Sequence, residues 1–442
     1  MQQNQWASRL GFVLATAGAA IGLGNLWKFP YLMGKNGGFY FLVIYLVFVL
    51  VLGVPVMMVE MSLGRHTGHD PVLSYKEVHP KAGIVGVCGV LAAFVILSYY
   101  SVIGGWILKY IFSYATSFSA PADFGAFIAS GPETVLWHFL FIGVTVLVCL
   151  KGVAGIEKAS KFMMPCLFVL LVVTIARSVT LPGAGQGLAF MFTPNAAGFS
   201  LSSVSAALGQ VFYSLSLCMG ITITYGSYLK KGENIFSSCG SVAVMDTLMA
   251  VLAGIAIFPA VFAFGLQPDS GPSLIFSTLP KVFGSLRGGP VFALAFFALV
   301  FFAAVTSAIA LLEVPVSYAM DSWGLSRRKA TLLMGGAVFL LGVPSALAFG
   351  PLAGFAPAGY NFFDLMGLLT DNILLPLGGI LMCWFIGWKW KPQLLAWEIE
   401  DGCPKFGRVA KVWIGCIRFL VPVMILIVTV TGFMGIFEKL AA

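Results

Sequence analysis

The sequence has few charged residues. Asp, Glu, Lys and Arg make up 10% of its 442 residues, whereas soluble domains carry about 25%. Hydrophobic residues make up 59%, and the mean hydropathy is +0.97. A chain this apolar could not cover a surface exposed to water, so lipid must be its solvent.

The sequence also lacks the motifs of common enzymes and metal sites. It contains no Walker loop, no G-x-S-x-G elbow and no H-E-x-x-H pair, so nothing indicates ATP hydrolysis. Its eight cysteines form no C-x-x-C pair and are expected to be small buried apolar side chains. Three of the four histidines fall in one loop without a completing carboxylate or thiol, and we expect a solvated loop there. No basic segment precedes the first apolar run, so we expect no cleavable signal peptide.

Long apolar runs predict an all-α membrane protein with about eleven transmembrane helices. Runs of this length can only be helices, because lipid-exposed sheet edges are not viable. The predicted spans are Arg9–Met33, Phe39–Leu63, Gly86–Ser117, Val135–Lys151, Ala159–Thr180, Leu201–Leu229, Ser237–Phe264, Pro290–Trp323, Arg327–Phe349, Phe362–Trp388 and Val409–Phe437.

The basic residues predict the orientation of the chain. With the N-terminus in the cytoplasm, 18 of the 25 Lys and Arg residues fall on the cytoplasmic side, as the positive-inside rule requires. An odd number of spans then places the C-terminus outside. Topology thus accounts for the net charge of +8, and we expect a multi-pass protein of the cell (inner) membrane with no nucleic-acid partner.

The first span contains Gly18, Gly22 and Gly24 near its middle. Each glycine weakens a helix by about 1 kcal/mol relative to alanine, and a break in mid-membrane leaves amides and carbonyls that need partners. The amides at the start of the second half suit a carboxylate, and the carbonyls of Gly18, Ala20 and Ile21 suit a cation. Glycines that only allow close helix packing explain the pattern equally well.

The sixth span has a matching irregularity. A patch of small and polar residues, which includes Ser214, Ser216, Cys218 and Gly220, interrupts its apolar run. It lies five spans after the glycines, and an odd number of spans per repeat inverts the second copy. Paired interruptions of this kind are the best indication in a sequence of a transporter site.

Ionisable residues inside the predicted spans are further candidates. Asp246, Glu60 and Glu313 lie in apolar runs, where a charge costs about 2.5–3.5 kcal/mol at the bilayer centre. We favour a functional role for Asp246, while a buried structural hydrogen bond is as good an explanation for the other two. Thr306 and Ser307 are adjacent hydroxyls that by themselves form only a weak signal.

Several motifs together resemble the neurotransmitter:sodium symporter family, in particular its bacterial amino-acid transporters with the leucine-transporter fold. The resemblance covers about the first 310 residues and weakens beyond them. The motifs are WASRLGF (Trp6–Phe12), GAAIGLGNLWKFPY (Gly18–Tyr31), NGG (Asn36–Gly38), VPVMMVEMSLGR (Val54–Arg65), SYY (Ser98–Tyr100), GQVFYSLSL (Gly209–Leu217), ITYGSY (Ile223–Tyr228) and FFAAVTSAIA (Phe301–Ala310).

The resemblance implies two sodium sites and one substrate site. The first sodium site would comprise Ala20, Asn25, Ser214 and Asp246. The second would comprise Gly18, Ile21, Ala303, Thr306 and Ser307. The substrate site would comprise Ala19, Ala20, Gly22, Leu23, Gly24, Ile96, Tyr100, Tyr213, Ser214, Ser216, Met219, Ser307 and Leu311. No wall residue is charged, which predicts a neutral, hydrophobic or aromatic amino acid.

Three positions differ from the usual family pattern. Asp246 stands where many relatives carry Asn, and its charge could replace that of a bound chloride, so we predict chloride independence. Lys28 replaces an arginine of the outer gate, and we expect it to face Asp364. Gln3 replaces the inner-gate arginine opposite Asp321, so either Arg9 or the Trp6 ring replaces it, or the inner gate lacks this salt bridge.

The sequence therefore predicts one transmembrane domain over residues 1–442. Inverted five-helix repeats would cover approximately residues 8–181 and 200–390, with helices 1 and 6 broken, and an extra helix would cover 409–437. The predicted function is sodium-coupled import of an amino acid by alternating access. The alternatives are a sodium- or proton-coupled carrier of another substrate, a non-transporting sensor or channel and, more remotely, a membrane enzyme. The oligomeric state cannot be predicted.

Overall fold

A computed structural model describes residues 5–194, 198–265, 274–284 and 288–441. This part of the chain is built from helices, and no β-strand occurs in it. In chain order, the helices are α1 (Arg9–Ala20), α2 (Gly24–Lys35), α3 (Phe39–Thr67), α4 (Pro71–Val78), α5 (Gly83–Ser117), α6 (Phe124–Ala129), α7 (Gly131–Cys149), α8 (Gly152–Ser178), α9 (Ala184–Phe192), α10 (Leu201–Ser214), α11 (Ile221–Ser227), α12 (Ile235–Ala263), α13 (Leu279–Gly284), α14 (Gly289–Trp323), α15 (Arg327–Leu347), α16 (Phe362–Lys389), α17 (Pro392–Gly402) and α18 (Ala410–Phe437).

The long helices agree with the predicted spans. Within the described ranges, nine helices are long and apolar enough to cross a membrane, and the pair α1 and α2, bent by 50°, makes a tenth. The predicted span Leu201–Leu229 consists of two short helices, α10 and α11, with residues 215–220 between them. The interruptions thus fall in the first and sixth predicted spans.

Five short helices lie in segments that the hydropathy pattern assigned to loops: α4, α6, α9, α13 and α17. Two of them begin at recognisable signals. Asp70 caps α4 by accepting a hydrogen bond from the amide of Val72 at 2.8 Å, and Asp123 caps α6 by accepting one from Gly125 at 2.8 Å. Such caps satisfy amides that would otherwise lack a partner.

The helices divide into a buried centre and a lipid-facing periphery. The most apolar windows of α5 and α14 are 78% and 72% buried, whereas that of α18 is only 17% buried. The two central helices pack against each other. The interrupted pairs lie beside them, because α1 contacts α14 and α11 contacts both α1 and α14. Both interruptions therefore meet inside the protein rather than in lipid.

Candidate functional site

The break in the first span leaves a short stretch without helical hydrogen bonding. α1 ends at Ala20, Ile21 is extended, and α2 begins at Gly24. A Cβ atom at Gly22 would lie 2.6 Å from the Ser307 hydroxyl, and one at Gly24 would lie 2.9 Å from the Tyr213 ring. These two glycines therefore also permit close packing, so both explanations offered by the sequence apply here.

The break in the sixth span has a different backbone. Ser216 (φ 53°), Cys218 (φ 62°) and Gly220 (φ 72°) are left-handed, a conformation that is unfavourable for the two residues with side chains. Glu60, which is 1% exposed on α3, supports this segment. Its carboxylate accepts a hydrogen bond from the Cys218 amide at 3.1 Å and a second from the Thr222 hydroxyl. Glu60 thus provides the acceptor that the broken helix needs.

A cavity of about 30 Å³ lies between the two breaks. Its wall contains twelve of the thirteen residues predicted for the substrate site, all except Ser214. Across it, the Ser216 hydroxyl donates to the Ala19 carbonyl at 3.2 Å, and the Leu23 amide lies 3.4 Å from the Tyr100 hydroxyl. The lining residues are Ala19, Ala20, Gly22, Leu23, Gly24, Ile96, Tyr100, Tyr213, Ser216, Met219, Ser307 and Leu311.

Three residues predicted for the first sodium site form one hydrogen-bonded cluster. Asp246 is fully buried. Its carboxylate accepts hydrogen bonds from the Asn25 amide at 2.7 Å and from the Ser214 hydroxyl at 2.8 Å. The side-chain oxygen of Asn25 accepts the Gly22 amide at 3.1 Å, which connects the cluster to the break in the first span. Ala20, the fourth predicted residue, lines the cavity.

The second predicted sodium site lies where the end of α1 meets α14. The Ser307 hydroxyl is 3.3 Å from the Gly18 carbonyl oxygen and 3.4 Å from that of Ile21. The Thr306 hydroxyl lies 3.0 Å from the Ala303 carbonyl oxygen, and its Cβ atom would be 3.1 Å from a Cβ atom at Gly18. All five predicted residues thus surround one region, with oxygen atoms of the kind that hard cations prefer.

The structure corrects the predicted outer gate. The Lys28 ammonium lies 3.4 Å from a carboxylate oxygen of Asp371, and both side chains are more than one-third exposed. It also stands 4.1 Å from the centre of the Tyr213 ring. Asp364 is exposed in the first turn of α16. The two aspartates are seven residues apart, which places them on one helix face about two turns apart, so helical periodicity could not choose between them.

At the opposite end of the site, Asp321 forms no ion pair with any residue that the structure describes. Gln3 lies outside the described residues. Asp321 accepts a hydrogen bond from the Asp70 amide at 2.9 Å. Burial, together with the negative charge of Asp321, raises the pKa of the Asp70 carboxyl to about 6. Arg9 instead donates to the Ser237 hydroxyl at 2.7 Å.

Trp6 is the other candidate for this end, and its side chain is buried. The indole donates to the Tyr225 carbonyl at 3.0 Å. Its ring meets those of Tyr225 and Tyr228 edge-on, with centroids 5.2 Å and 6.3 Å apart. Of the alternatives for the inner gate, the structure therefore favours aromatic packing over replacement by Arg9.

Two buried polar residues at the site were missed in the sequence. The Tyr45 hydroxyl donates to Asp246 at 3.1 Å. The Gln210 amide donates to the Gly24 carbonyl at 3.1 Å, and its own carbonyl oxygen is buried and has no hydrogen-bond partner among the described residues. Tyr45 lies in the apolar half of α3, and Gln210 lies between a small and an apolar residue of α10. Only the arrangement of the neighbouring helices shows that they reach the breaks.

Two interrupted spans that meet around a buried cavity, with oxygen-rich clusters at both ends of the breaks, define a secondary transporter. The model of the sodium:neurotransmitter symporter family matches residues 3–123 and 130–440, and the chain belongs to that family. It is therefore a sodium-dependent membrane transporter and not an enzyme, as the sequence predicted.

Individual relatives agree with this assignment. A sodium-dependent transporter of Bacillus subtilis, YhdH, is 40% identical over 434 residues, which are 96% of each chain. One from Haemophilus influenzae is 34% identical over 98% of each chain. The crystal structure of MhsT in complex with L-phenylalanine is similar with a TM-score of 0.88, 44% identity, and coverage of 97% of this chain and 100% of that one. The predicted fold class, with its broken helices, is confirmed.

Proposed function

We propose that the protein is a symporter that uses sodium to import a neutral, hydrophobic or aromatic amino acid by alternating access. The observation that carries this proposal is the cavity between the two helix breaks. Backbone groups of α1 and α2 meet side chains of α10 and α14 there, and no charged side chain of the described ranges lines the wall.

The broken first span supports recognition of an α-amino acid. The amides of Leu23 and Gly24 lie at the start of α2, where the helix dipole favours a carboxylate, and the Tyr100 hydroxyl lies beside them. The ammonium group of the substrate would bind the Ala20 carbonyl and the Ser216 side chain. Because these groups recognise only the backbone of the substrate, its side chain must extend toward the rest of the wall.

The rest of the wall supports an apolar side chain. Ile96, Met219 and Leu311 are apolar and line the cavity with the Tyr213 ring. A charged substrate side chain buried against them would have no partner, which is costly. The phenylalanine in the MhsT crystal structure is a ligand of this class, although differences of one methylene are worth only about 1–3 kcal/mol in such pockets. We therefore propose the class of substrate and not one member of it.

Two sodium ions would accompany the substrate. Ala20, Asn25, Ser214 and Asp246 would bind one ion, and the cluster around Thr306 and Ser307 would bind the other. Asp246 is the single carboxylate in the two clusters and would balance the first ion, which supports transport without chloride. Each sodium ion would add about 2.3 kcal/mol per 100 mV of membrane potential to the driving force.

The distribution of basic residues supports a cytoplasmic N-terminus in the cell (inner) membrane and a C-terminus outside. The Lys28–Asp371 pair would then close the outer end of the site, and the aromatic cluster around Trp6 would close the inner end. Movement of the two five-helix repeats relative to each other would expose the site to one side of the membrane at a time.

The proposal is tested with labelled phenylalanine. The purified protein should bind it in sodium but not in choline, and proteoliposomes should accumulate it when a sodium gradient points inward. Other neutral apolar amino acids should compete, whereas lysine and glutamate should not. Binding that ignores sodium, or competition by charged amino acids only, would contradict the proposal. Binding without uptake would indicate a sensor, and absence of binding would indicate another substrate.

A pair of matched variants tests the second sodium site. Thr306→Val removes a hydroxyl that would coordinate the second sodium ion. Because the ion would lose this ligand, the sodium concentration for half-maximal binding should rise at least about tenfold. Thr331 is equally buried, and its hydroxyl bonds to the carbonyl four residues earlier in the same way. Thr331→Val should leave the sodium dependence unchanged. Equal effects of the two variants would exclude a specific role for Thr306.

A further inference from the structure

A buried carboxylate on α8 holds the beginning of α1. Glu157 is 4% exposed and accepts two hydrogen bonds from the chain just before α1, one from the Ala7 amide at 2.8 Å and one from the Ser8 hydroxyl at 2.8 Å. The Lys161 ammonium lies 2.6 Å from the same carboxylate, one turn further along α8. We call this group of four residues the Glu157 latch.

Two residues at the beginning of α1, Ser8 and Gly11, fit the position of the Glu157 carboxylate. Ser8 caps α1, because its hydroxyl oxygen accepts a hydrogen bond from the Gly11 amide at 3.0 Å. The same hydroxyl donates a hydrogen bond to the Glu157 carboxylate. A Cβ atom at Gly11 would lie 2.1 Å from the Glu157 carboxylate. The carboxylate therefore occupies the space of a side chain at position 11, and its negative charge stands at the positive end of the α1 dipole.

The latch belongs to the same contact as the second proposed sodium site. Gly18 lies seven residues after Gly11, on the same face of α1, and a Cβ atom there would lie 3.2 Å from the sulfur of Met164 and 3.1 Å from Thr306. The face of α1 that packs on α8 thus contacts Glu157 near its beginning and the proposed sodium ligands near its end. A change in how α1 lies on α8 would affect both ends.

Other contacts of the inner half of α1 are weaker or uncharged. Arg9 bonds Ser237 at an exposed position, and Trp6 packs among aromatic rings. In the part of the chain that the structure describes, Glu157 is the only carboxylate that bonds to residues 6–20, and Asp321 has no ion pair. A hydrogen bond to a buried charge is stronger than one between neutral groups, so the latch is stronger than the neutral polar contacts in this region.

We infer that Glu157 is a positioning residue that keeps the inner half of α1 closed on α8, and that the latch opens when the site opens toward the N-terminal face. This inference rests on the proposed transport function. Loss of the latch would favour the open form, in which the second sodium site loses its α1 carbonyls. Sodium binding would be weakened although no sodium ligand is altered.

Glu157→Gln tests the latch because it keeps the shape of the side chain and removes the charge. The amide can accept at one oxygen only, so one of the two donors before α1 loses its partner. We expect hydrogen exchange of the amides of residues 7–12 in sodium to become about tenfold faster, and the half-saturating sodium concentration to rise about tenfold. The amount of phenylalanine bound at saturating sodium should be unchanged.

Glu133→Gln is the matched control. It makes the same chemical change in an ion pair with Lys109 of the same length, 2.6 Å, on helices that do not contribute to the latch. It should change neither the exchange of residues 7–12 nor the sodium dependence. If both variants have the same effect, loss of charge in general is responsible and the latch is excluded.

Ser8→Ala provides a second test that does not depend on how well Glu157→Gln folds. It removes one of the donors, so it should accelerate exchange in residues 7–12, and in the double variant the two effects should not add. Unchanged exchange in both single variants would overturn the inference. If the unmodified protein does not bind phenylalanine in sodium, the proposed function fails, whereas the exchange comparison still decides whether the latch exists.

Discussion

Replacement of Asp246 by asparagine should weaken sodium binding strongly in the absence of chloride. The residue is fully buried, and its carboxylate receives hydrogen bonds from Asn25, Ser214 and Tyr45. All three donors are neutral, so within the described structure the carboxylate has no cationic partner among its hydrogen bonds. A bound sodium ion would provide that missing charge.

The size of the effect follows from electrostatics. Two unit charges 4 Å apart attract each other by about 4 kcal/mol at an effective dielectric constant of 20, which corresponds to about three orders of magnitude in affinity. An asparagine oxygen can still coordinate sodium, so part of the interaction remains. We therefore expect the half-saturating sodium concentration of Asp246→Asn to rise by about 100-fold to 1,000-fold.

The assay is a sodium titration of labelled phenylalanine binding, carried out in chloride and in gluconate. The unmodified protein should give the same curve in both anions. Any recovery of Asp246→Asn should require chloride, since an anion could then replace the lost charge. Asp364→Asn makes the same change at an exposed position and should behave like the unmodified protein. A chloride requirement of the unmodified protein, or normal sodium affinity of Asp246→Asn in gluconate, would refute the reasoning.

Three further variants test other parts of the structure. Gly22→Ala would place a Cβ atom 2.6 Å from the Ser307 hydroxyl, so phenylalanine binding should fall by more than about 100-fold while the far-ultraviolet circular dichroism stays unchanged. Asp371→Asn should weaken binding by less than about fivefold, because a half-exposed ion pair is worth about 0–1 kcal/mol; a larger loss would show that Asp371 does more than pair with Lys28. Asp70 has a pKa of about 6 in the folded protein, above its unfolded value of about 3.9. Its contribution to stability is therefore complete below pH 4 and is lost as the pH rises through 6, a difference of about 3 kcal/mol. Asp70→Asn keeps the helix cap, so its apparent melting temperature in detergent should depend less on pH between 4 and 7 than that of the unmodified protein; equal slopes would contradict the assignment.

The spans could be predicted from the sequence because apolar runs are local patterns, whereas the residues of the cavity wall were predicted from the resemblance to a known family. Apolar runs indicate where helices cross the membrane, whereas the glycines near Gly22 were equally compatible with a break and with close helix packing. Residues that act across helices were harder to find. The phenol of Tyr45 and the carboxylate of Glu60 each lie in an apolar run, and only their tertiary neighbours reveal what they bond. The error at Asp364 has the same origin, because Asp371 lies on the same face of one helix and only the position of Lys28 distinguishes them.

The two breaks are formed by different kinds of residue, and this difference indicates which part of the substrate each break recognises. The first break is opened by glycines, which tolerate irregular backbone at little cost and present backbone amides and carbonyls to the cavity. Such groups suit the part of an amino acid that all substrates have in common. In the second break, Ser216 and Cys218 adopt left-handed conformations that cost about 1–2 kcal/mol per residue, and Glu60 satisfies the strained segment. Glycine would remove that cost but would also remove the Ser216 hydroxyl, which donates a hydrogen bond to the Ala19 carbonyl. Met219 also lies in the second break and belongs to the apolar wall of the cavity. We therefore expect substitutions of Met219 to change which amino acid binds, and substitutions in the first break to change whether any binds.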